Sequence, residues 1–244
     1  MTEPDFITNT RASYDAMAAD YARAFPDEFG GQILDRAVLA AFTELVRTEG
    51  PASWGAVPAG SVASAASVPT ASAGVAPVAD IGCGPGHVTA HLSALGVPAF
   101  GVDLSPAMVA LAREAHPELR FAVGSMTAMD LPDGVLGGVA AVYSTIHVPD
   151  DELPAVFREF HRVLAPGGHV LLVFQTGDER ARLTERFGRA ISLDCHWRDP
   201  GVVAGVLEGA ELSVRARVER APYEDEKLPR AFLLARRPPA PVAG

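Results

Sequence analysis

The sequence predicts an α/β fold in which a mainly parallel, doubly wound sheet follows two N-terminal helices. Three observations carry this prediction. From Val78 onward, short apolar segments alternate with segments of helical length and periodicity. The first apolar segment runs into a loop, residues 82–86, that has glycine at every second position. The 244 residues, 48% of them hydrophobic, suffice for one α/β domain with a full core and are too few for two catalytic domains.

The first 49 residues, 1–49, are predicted to form a helical cap or lid. Apolar side chains recur at helical spacing over 10–24 and again over 32–47. Between residues 50 and 77 the chain becomes an uncharged tract of Ala, Ser, Pro, Val and Gly, which cannot bury enough surface to offset the entropy cost of ordering. We predict a flexible insertion there, either a tether for the cap or a tolerated expansion. Residues 238–244 are predicted to be a disordered tail.

The domain from 78 to 237 is predicted to hold seven strands, at 78–81, 98–102, 119–123, 138–144, 168–175, 211–219 and 230–236. Apolar periodicity predicts a helix over 151–164 that stops at Pro166 and the two glycines after it. Only a polar loop joins the sixth strand to the seventh. The seventh strand should therefore pair antiparallel, because a parallel neighbour needs a long crossover connection.

The loop 82–86 is suited to contact between a ligand and the backbone. Gly82, Gly84 and Gly86 lack a Cβ, so the chain can turn sharply and present N–H groups, and the next helix points its positive dipole end the same way. About twenty residues on, Asp103 ends the second apolar segment, where a carboxylate can accept hydrogen bonds from ribose hydroxyls. This predicts a nucleoside-containing cofactor. The alternative is that Asp103 only caps the helix that begins after it.

The glycine spacing separates two kinds of nucleoside cofactor. The dinucleotide fingerprint G-x-G-x-x-G requires glycine at position 87, where this chain has His87. The spacing instead resembles the first motif of class I S-adenosylmethionine-dependent methyltransferases, D/E-x-G-x-G-x-G, carried here by Asp80, Gly82, Gly84 and Gly86. Further matches extend the resemblance from Tyr14 to Gln175: GVDLS at 101–105, LP at 131–132 and RVLAPGGHVLL at 162–172. Within the family, the chain resembles the methyltransferase type 11 branch that acts on small molecules.

The resemblance implies a Rossmann-like sheet of strand order 3-2-1-4-5-7-6 that binds S-adenosylmethionine and releases S-adenosylhomocysteine. It implies that Asp80 belongs to the cofactor-binding residues and that Gly82, Cys83, Gly84 and Gly86 contact the methionyl and ribose parts. It also implies that Leu104 covers one adenine face, unless Leu104 is only core. Where many family members have Gly-Asp, this chain has Gly124-Ser125. Ser125 would then accept from the adenine amino group, with Met126 as a backbone and polarizable contact, although Met126 could also simply fill the core.

The segment from Tyr143 to His147 follows the fourth strand, at the sheet edge where doubly wound proteins bind ligands. We place Tyr143 beside the cofactor. His147 is the candidate general base and substrate contact, because an imidazole can take a proton from the acceptor as the methyl group transfers. The alternative is that it only positions the cofactor or the loop. His196, in a region that commonly builds the acceptor pocket of such enzymes, is a candidate substrate contact.

The N-terminal helix resembles the lid of similar small-molecule methyltransferases through its Tyr-Asp-x-x-Ala-x-x-Tyr pattern, formed by Tyr14, Asp15, Ala18 and Tyr21. The resemblance implies that Tyr14 and Tyr21 fold over the cofactor. A tyrosine hydroxyl would reach the methionyl carboxylate while its ring closes the pocket against water. Packing alone is the alternative for both residues.

The amino-acid composition limits the classes of partner that we expect this protein to bind. The net charge of −10 and the absence of a Lys/Arg cluster disfavour nucleic acid. The two cysteines, at 83 and 195, fit neither a disulfide framework nor a zinc site, and His87 and His91 have no third ligand spaced nearby, so we predict no metal. With no signal peptide and no apolar run of membrane-spanning length, we expect a cytoplasmic protein without membrane contact. The sequence leaves the oligomeric state open.

These observations predict an S-adenosylmethionine-dependent methyltransferase that acts on an oxygen, nitrogen or carbon atom of a small-molecule metabolite. Two alternatives come from other classes. One is a catalytically silent protein that binds the cofactor as a regulator or partner subunit. The other is a nicotinamide oxidoreductase, which the glycine spacing disfavours. The acceptor itself is not predicted.

Overall fold

The computed structural model describes residues 3–26, 32–51, 74–223 and 226–240. Most of the predicted insertion, 52–73, and the end of the predicted tail, 241–244, lie outside these ranges. The helices are α1 (Asp5–Ala24), α2 (Ile33–Glu49), α3 (His87–Ala94), α4 (Pro106–Ala115), α5 (Leu153–Val163) and α6 (Pro200–Gly209). The strands are β1 (Val78–Ile81), β2 (Ala99–Asp103), β3 (Arg120–Val123), β4 (Leu136–Val142), β5 (Leu164–Gln175), β6 (Arg180–Arg186), β7 (Arg189–His196), β8 (Ser213–Arg220) and β9 (Arg230–Arg236). A short 3-10 turn covers Thr145–His147.

Seven of these strands form one sheet in the order β3-β2-β1-β4-β5-β9-β8. The pairs among β1 to β5 are parallel, and β9 is antiparallel to both β5 and β8. Since β8 and β9 are the sixth and seventh strands of the prediction, the predicted order 3-2-1-4-5-7-6 and the antiparallel seventh strand are confirmed. The strand order reverses between β1 and β4, so the connections leaving their carboxyl ends diverge and open a crevice.

The central strands of the sheet are buried on both faces, whereas the edge strands β3 and β8 carry exposed residues. Along β4, Val139 and Ala141 belong to one apolar cluster while Ala140 and Val142 belong to another. This period of two is what a strand covered by helices on both sides requires. The first cluster includes apolar residues of α5 and α6, and the second includes those of α2 and α3. The crevice therefore lies where central strands that are covered on both faces end.

Strand limits differ from the prediction where glycine or an unusual backbone angle intervenes. β4 ends at Val142 instead of 144, because Tyr143 has a left-handed backbone with φ of 54°. β5 begins at Leu164, earlier than predicted, and continues through Gly167 and Gly168 after a register shift against β4. The hairpin β6–β7 was not predicted: it is a separate two-stranded sheet whose first strand is largely exposed and charged. Its turn residues Phe187 and Gly188 both have positive φ.

Among the described residues, none of the helices combines the length and the apolar content needed to cross a membrane.

Candidate functional site

A cavity of about 940 Å³, part of it open to solvent, lies where β1, β2, β3 and β4 end and is covered by α1. Its lining brings together most of the predicted site residues: Tyr14, Tyr21, Gly82, Cys83, Gly84, Asp103, Leu104, Ser125, Met126, Tyr143 and His147. The predicted residues Asp80, Gly86 and His196 lie outside the lining. Sequence reasoning missed lining residues on α1, namely Phe6, Ile7 and Thr10.

The glycine loop has the backbone that its composition suggests, with φ of 76°, 52° and 93° at Gly82, Gly84 and Gly86. A Cβ at Gly82 would lie 2.3 Å from the Ser144 Cβ, and one at Gly86 would lie 2.9 Å from the Phe121 ring. Close packing therefore requires these two glycines. A Cβ at Gly84 would meet no heavy atom within 4 Å, although Gly84 lines the cavity. Gly84 thus leaves room for a ligand against bare backbone.

Asp103 is the buried carboxylate of the cavity. Its Oδ2 accepts a hydrogen bond from the Gly84 N–H at 2.8 Å, and its Oδ1 accepts from the Ser105 N–H at 2.8 Å. Burial raises the pKa of Asp103 from 3.8 to about 6, more than these two hydrogen bonds lower it. Ser105, not Asp103, caps α4, because its hydroxyl accepts from the Met108 N–H. The alternative expectation, that Asp103 only caps the helix after it, is therefore wrong.

Two motif residues support the loop from behind. Asp80 is 1% exposed and its Oδ2 accepts from the Thr89 hydroxyl at 2.6 Å, which ties β1 to α3. Because it lies outside the cavity, its predicted direct contact with a cofactor is corrected to support of the loop. The Cys83 side chain packs in the small cluster of Val109 and Phe121, and burial raises the pKa of its thiol. We infer that Cys83 offers the cavity its backbone.

The connection after β3 forms a tight polar turn. The Ser125 hydroxyl lies 2.8 Å from that of Thr127 and also accepts from the Thr127 N–H at 3.2 Å. Ser125 and Met126 both line the cavity, as predicted. Met126 also packs against the apolar cluster that contains α5. This residue therefore both lines the cavity and fills part of the core. Leu104 lines the cavity and is not among the buried core residues.

Tyr143 is held by a buried ion network that the sequence did not reveal. Its hydroxyl donates to Asp35 Oδ2 at 3.3 Å, and Arg220 donates to both oxygens of Asp35, at 2.8 and 3.1 Å. Arg220 also makes a double contact with Glu226. Burial, and next the charge of Asp35, raise the pKa of Tyr143 above its usual range. The network fastens α2 to the residue where β4 ends and the left-handed turn begins.

His147 connects α1 to the hairpin. Its Nδ1 lies 2.9 Å from the Asp194 carbonyl oxygen, and its Nε2 lies 2.8 Å from the Tyr14 hydroxyl. A carbonyl can only accept, so Nδ1 carries the proton and Nε2 accepts from Tyr14. Burial lowers the pKa of His147 to about 4, which keeps the ring neutral at pH 7. The Tyr14 hydroxyl, expected at a methionyl carboxylate, is instead bonded to His147.

Arg198 fixes the turn that carries His147. Its guanidinium donates to the Thr145 carbonyl at 3.1 Å, to the Val148 carbonyl, and to Asp150 at 2.8 Å. Its own burial would be costly without these partners. His196 is buried beside the same group, with Nδ1 4.0 Å from Asp150, and does not reach the cavity. The structure therefore gives no support to the predicted substrate contact of His196.

Besides the Tyr14–His147 bond, several polar contacts dock the helix α1 over the cavity. Asp15 accepts from the Ser105 hydroxyl at 2.5 Å and from the Ala107 N–H at 3.1 Å, at the N-terminus of α4. Ser13 accepts from the Ser192 N–H of β7 at 3.0 Å. Asp15, the acidic residue of the Tyr-Asp-x-x-Ala-x-x-Tyr pattern, thus docks α1 on α4. The positive end of the α4 dipole stabilises its negative charge there.

Comparisons with known proteins agree with this geometry. Residues 78–168 match the family model described as "Methyltransferase domain". The chain is 35% identical over 127 residues to trans-aconitate 2-methyltransferase from Variovorax paradoxus, covering 50% of this chain and 47% of that protein. It is 33% identical over 97 residues to demethylmenaquinone methyltransferase from Chlorobaculum tepidum, covering 39% of each. The matches thus span about half or less of the length of these curated relatives.

Solved structures agree over a longer stretch. The DhpI complex with SAH superposes with a TM-score of 0.66 and 22% identity, covering 98% of this chain and 100% of that one. Magnesium protoporphyrin IX methyltransferase from Synechocystis, with bound SAM, gives a TM-score of 0.65 and 16% identity, covering 97% and 99%. At these identities the likeness shows the fold. Taken together, residues 78–168 match a methyltransferase domain, and the described chain has the fold of S-adenosylmethionine-dependent methyltransferases.

Proposed function

We propose that this protein transfers a methyl group from S-adenosylmethionine to an oxygen, nitrogen or carbon atom of a small-molecule metabolite. One observation carries the proposal: the open backbone at Gly84 and the buried carboxylate of Asp103 face the same cavity, directly beneath α1. The relatives named above methylate trans-aconitate and demethylmenaquinone by their names, and both are small molecules.

The residues present fit S-adenosylmethionine. Gly84 leaves the space that a Cβ would fill, where a ligand can touch backbone. Each Asp103 oxygen accepts one protein hydrogen bond and keeps a lone pair for a ribose hydroxyl. Leu104, Ser125 and Met126 line the part of the cavity expected for adenine. When bound, this cofactor supplies an activated methyl group on a sulfonium, so the protein needs only to position the acceptor and manage its proton.

The protein's own contribution lies in closure and proton handling. Tyr14 and Tyr21 meet edge to face, with ring centroids 5.9 Å apart, and both line the cavity under α1. This arrangement excludes water from a bound ligand, which strengthens electrostatic contacts inside. His147 is neutral with its Nε2 lone pair directed into a hydrogen bond at the cavity wall. It is the group we assign to proton acceptance.

Binding and transfer test the proposal separately. Calorimetry should show S-adenosylmethionine binding that Asp103→Ala weakens at least about tenfold, about 1.4 kcal/mol, because charge-assisted bonds are lost. Asp151→Ala removes an exposed carboxylate as the matched control and should leave the affinity within about twofold. Incubation with methyl-labelled cofactor and a metabolite extract should label a small molecule. Tight binding with no labelled product would favour the silent binding protein instead.

A further inference from the structure

We propose that Tyr14 is the catalytic residue that takes a proton from a hydroxyl group of the acceptor, while His147 acts through it by receiving the proton of Tyr14. The inference rests on the proposed methyl transfer and names its substrate class. The acceptor is an uncharged hydroxyl compound with an apolar frame, such as a phenol.

The hydrogen-bond chain has a fixed direction. The Asp194 carbonyl holds the proton of His147 on Nδ1, so the lone pair of Nε2 points to the Tyr14 hydroxyl. The Tyr14 proton is therefore directed toward His147, and the Tyr14 oxygen, which lines the same cavity, is the atom we assign to take a proton from the acceptor. Arg198 holds both ends of the turn that carries His147, which keeps this alignment rigid.

The proton and charge balance is complete within the cavity. The acceptor oxygen forms the new bond to the methyl carbon while the carbon–sulfur bond breaks and its electron pair stays on sulfur. The acceptor proton passes to the Tyr14 oxygen, and the Tyr14 proton passes to His147 Nε2. The sulfonium charge is lost as an imidazolium charge appears, so the buried cavity keeps one positive charge throughout, and water takes the proton once the products leave. Burial keeps His147 neutral beforehand, with its lone pair available.

The cavity wall next to this chain fits an apolar acceptor frame. Phe6 and Ile7 of α1 line the cavity, as does Val148 after the His147 turn. Two arginines of the adjoining elements are bound by protein carboxylates: Arg11 by Glu3 at 2.6 Å and Arg198 by Asp150 at 2.8 Å. An acceptor that arrives already ionised, such as a carboxylate, gains nothing from a proton relay, whereas a neutral hydroxyl depends on one.

The test compares two phenols of matched shape, one neutral at the assay pH and one made acidic by a nitro group and therefore largely ionised. Tyr14→Phe should lower kcat for the neutral phenol at least about a hundredfold, the usual size of a proton-transfer contribution, and for the ionised phenol by less than about threefold. Cofactor affinity should stay within about twofold. Tyr223→Phe, which removes the hydroxyl of an exposed tyrosine outside the cavity lining, should change neither rate. Equal losses for both phenols would overturn the relay.

A measurement without turnover gives a second readout. In the complex with S-adenosylhomocysteine, nitrogen NMR should find His147 protonated at Nδ1, and Tyr14→Phe should shift the Nε2 resonance while Nδ1 stays protonated. Protonation at Nε2 instead would overturn the proposal. Transfer to carboxylates but not to phenols would overturn the acceptor class and leave the methyltransferase function standing. Failure to bind S-adenosylmethionine would overturn the proposed function itself.

Discussion

The two halves of the cavity are built in different ways. The cofactor half, the loop after β1 and the end of β2, is a backbone structure in which Gly84 and Asp103, only 19 residues apart, bond directly. The half that we assign to the acceptor, around Tyr14 and His147, depends on side-chain contacts between distant elements; we call it the acceptor half. Tyr14 meets His147 across 133 residues, and Ser13 meets Ser192 across 179.

Because the two halves are built differently, we expect mutations to affect cofactor binding and acceptor turnover separately. Backbone geometry set by glycine tolerates almost no substitution, since any Cβ demands either strain or space. Side-chain contacts between distant elements can be changed one at a time. We therefore expect damage to the cofactor half to abolish ligand binding, and damage to the acceptor half to change turnover while cofactor affinity survives.

Gly82→Ala should break the cofactor half most severely. The new Cβ would lie 2.3 Å from Ser144 at a φ of 76°, so strain and overpacking together should lower the unfolding free energy by about 3 kcal/mol. Cofactor affinity should fall at least about a hundredfold by calorimetry. Gly188→Ala, which also has positive φ but meets no atom within 4 Å, is the control: it should cost only about 1 to 2 kcal/mol and leave binding intact. Similar results for the two variants would contradict the packing argument.

Arg198→Met should damage the acceptor half alone. The carbonyls of Thr145 and Val148 would lose the guanidinium as a donor, so denaturant unfolding should show a loss of about 2 kcal/mol. The His147 turn would loosen, and kcat should fall while the cofactor dissociation constant stays within about twofold. Arg182→Gln, on an exposed arginine of the hairpin, should change stability by less than about 0.5 kcal/mol. A collapse of cofactor affinity in Arg198→Met would show that the two halves are coupled.

The pH dependence of binding sharpens the role of Asp103. Because burial raises its pKa from 3.8 to about 6, ionisation costs the ligand-free fold stability as pH rises from about 4 to about 6. Ribose hydroxyls bind the ionised carboxylate best, so cofactor affinity should rise over the same window. At pH 5, roughly tenfold weaker binding than at pH 7 is expected by calorimetry. Asp103→Asn should flatten this profile, and a flat profile in the wild type would remove the assignment.

Ser13→Ala should have the smallest effect. It leaves the Ser192 N–H of β7 without its partner, which should cost about 1 kcal/mol in unfolding free energy. The docking of α1 on the hairpin would weaken, so the acceptor KM should rise about threefold with cofactor affinity unchanged. Thr8→Ala, at an exposed position of the same helix, removes a contact with Glu3, which precedes the helix, and is the matched control. An equal KM change in both variants would mean that this contact does not shape the acceptor half.

The difference between the cofactor half and the acceptor half also accounts for which sequence predictions succeeded. Glycine spacing and the acidic strand end are local patterns, so Gly84 and Asp103 were placed in the cavity correctly. His196 was assigned to the acceptor pocket from its position along the chain, but the hairpin β6–β7 directs it behind the His147 turn toward Asp150. The exposed, charged composition of β6 hides it from hydrophobic periodicity.

By itself, the sequence determined the sheet and the cofactor half, because alternation of apolar segments and positive-φ glycines are properties of residues close together in the chain. Only the tertiary structure decided the acceptor half. The bond between Tyr14 and His147, the tautomer set by Asp194 and the clamp of Arg198 depend on which distant elements pack side by side. Such long-range contacts follow from the packing of the whole core, to which many residues contribute little each, and no short motif encodes them.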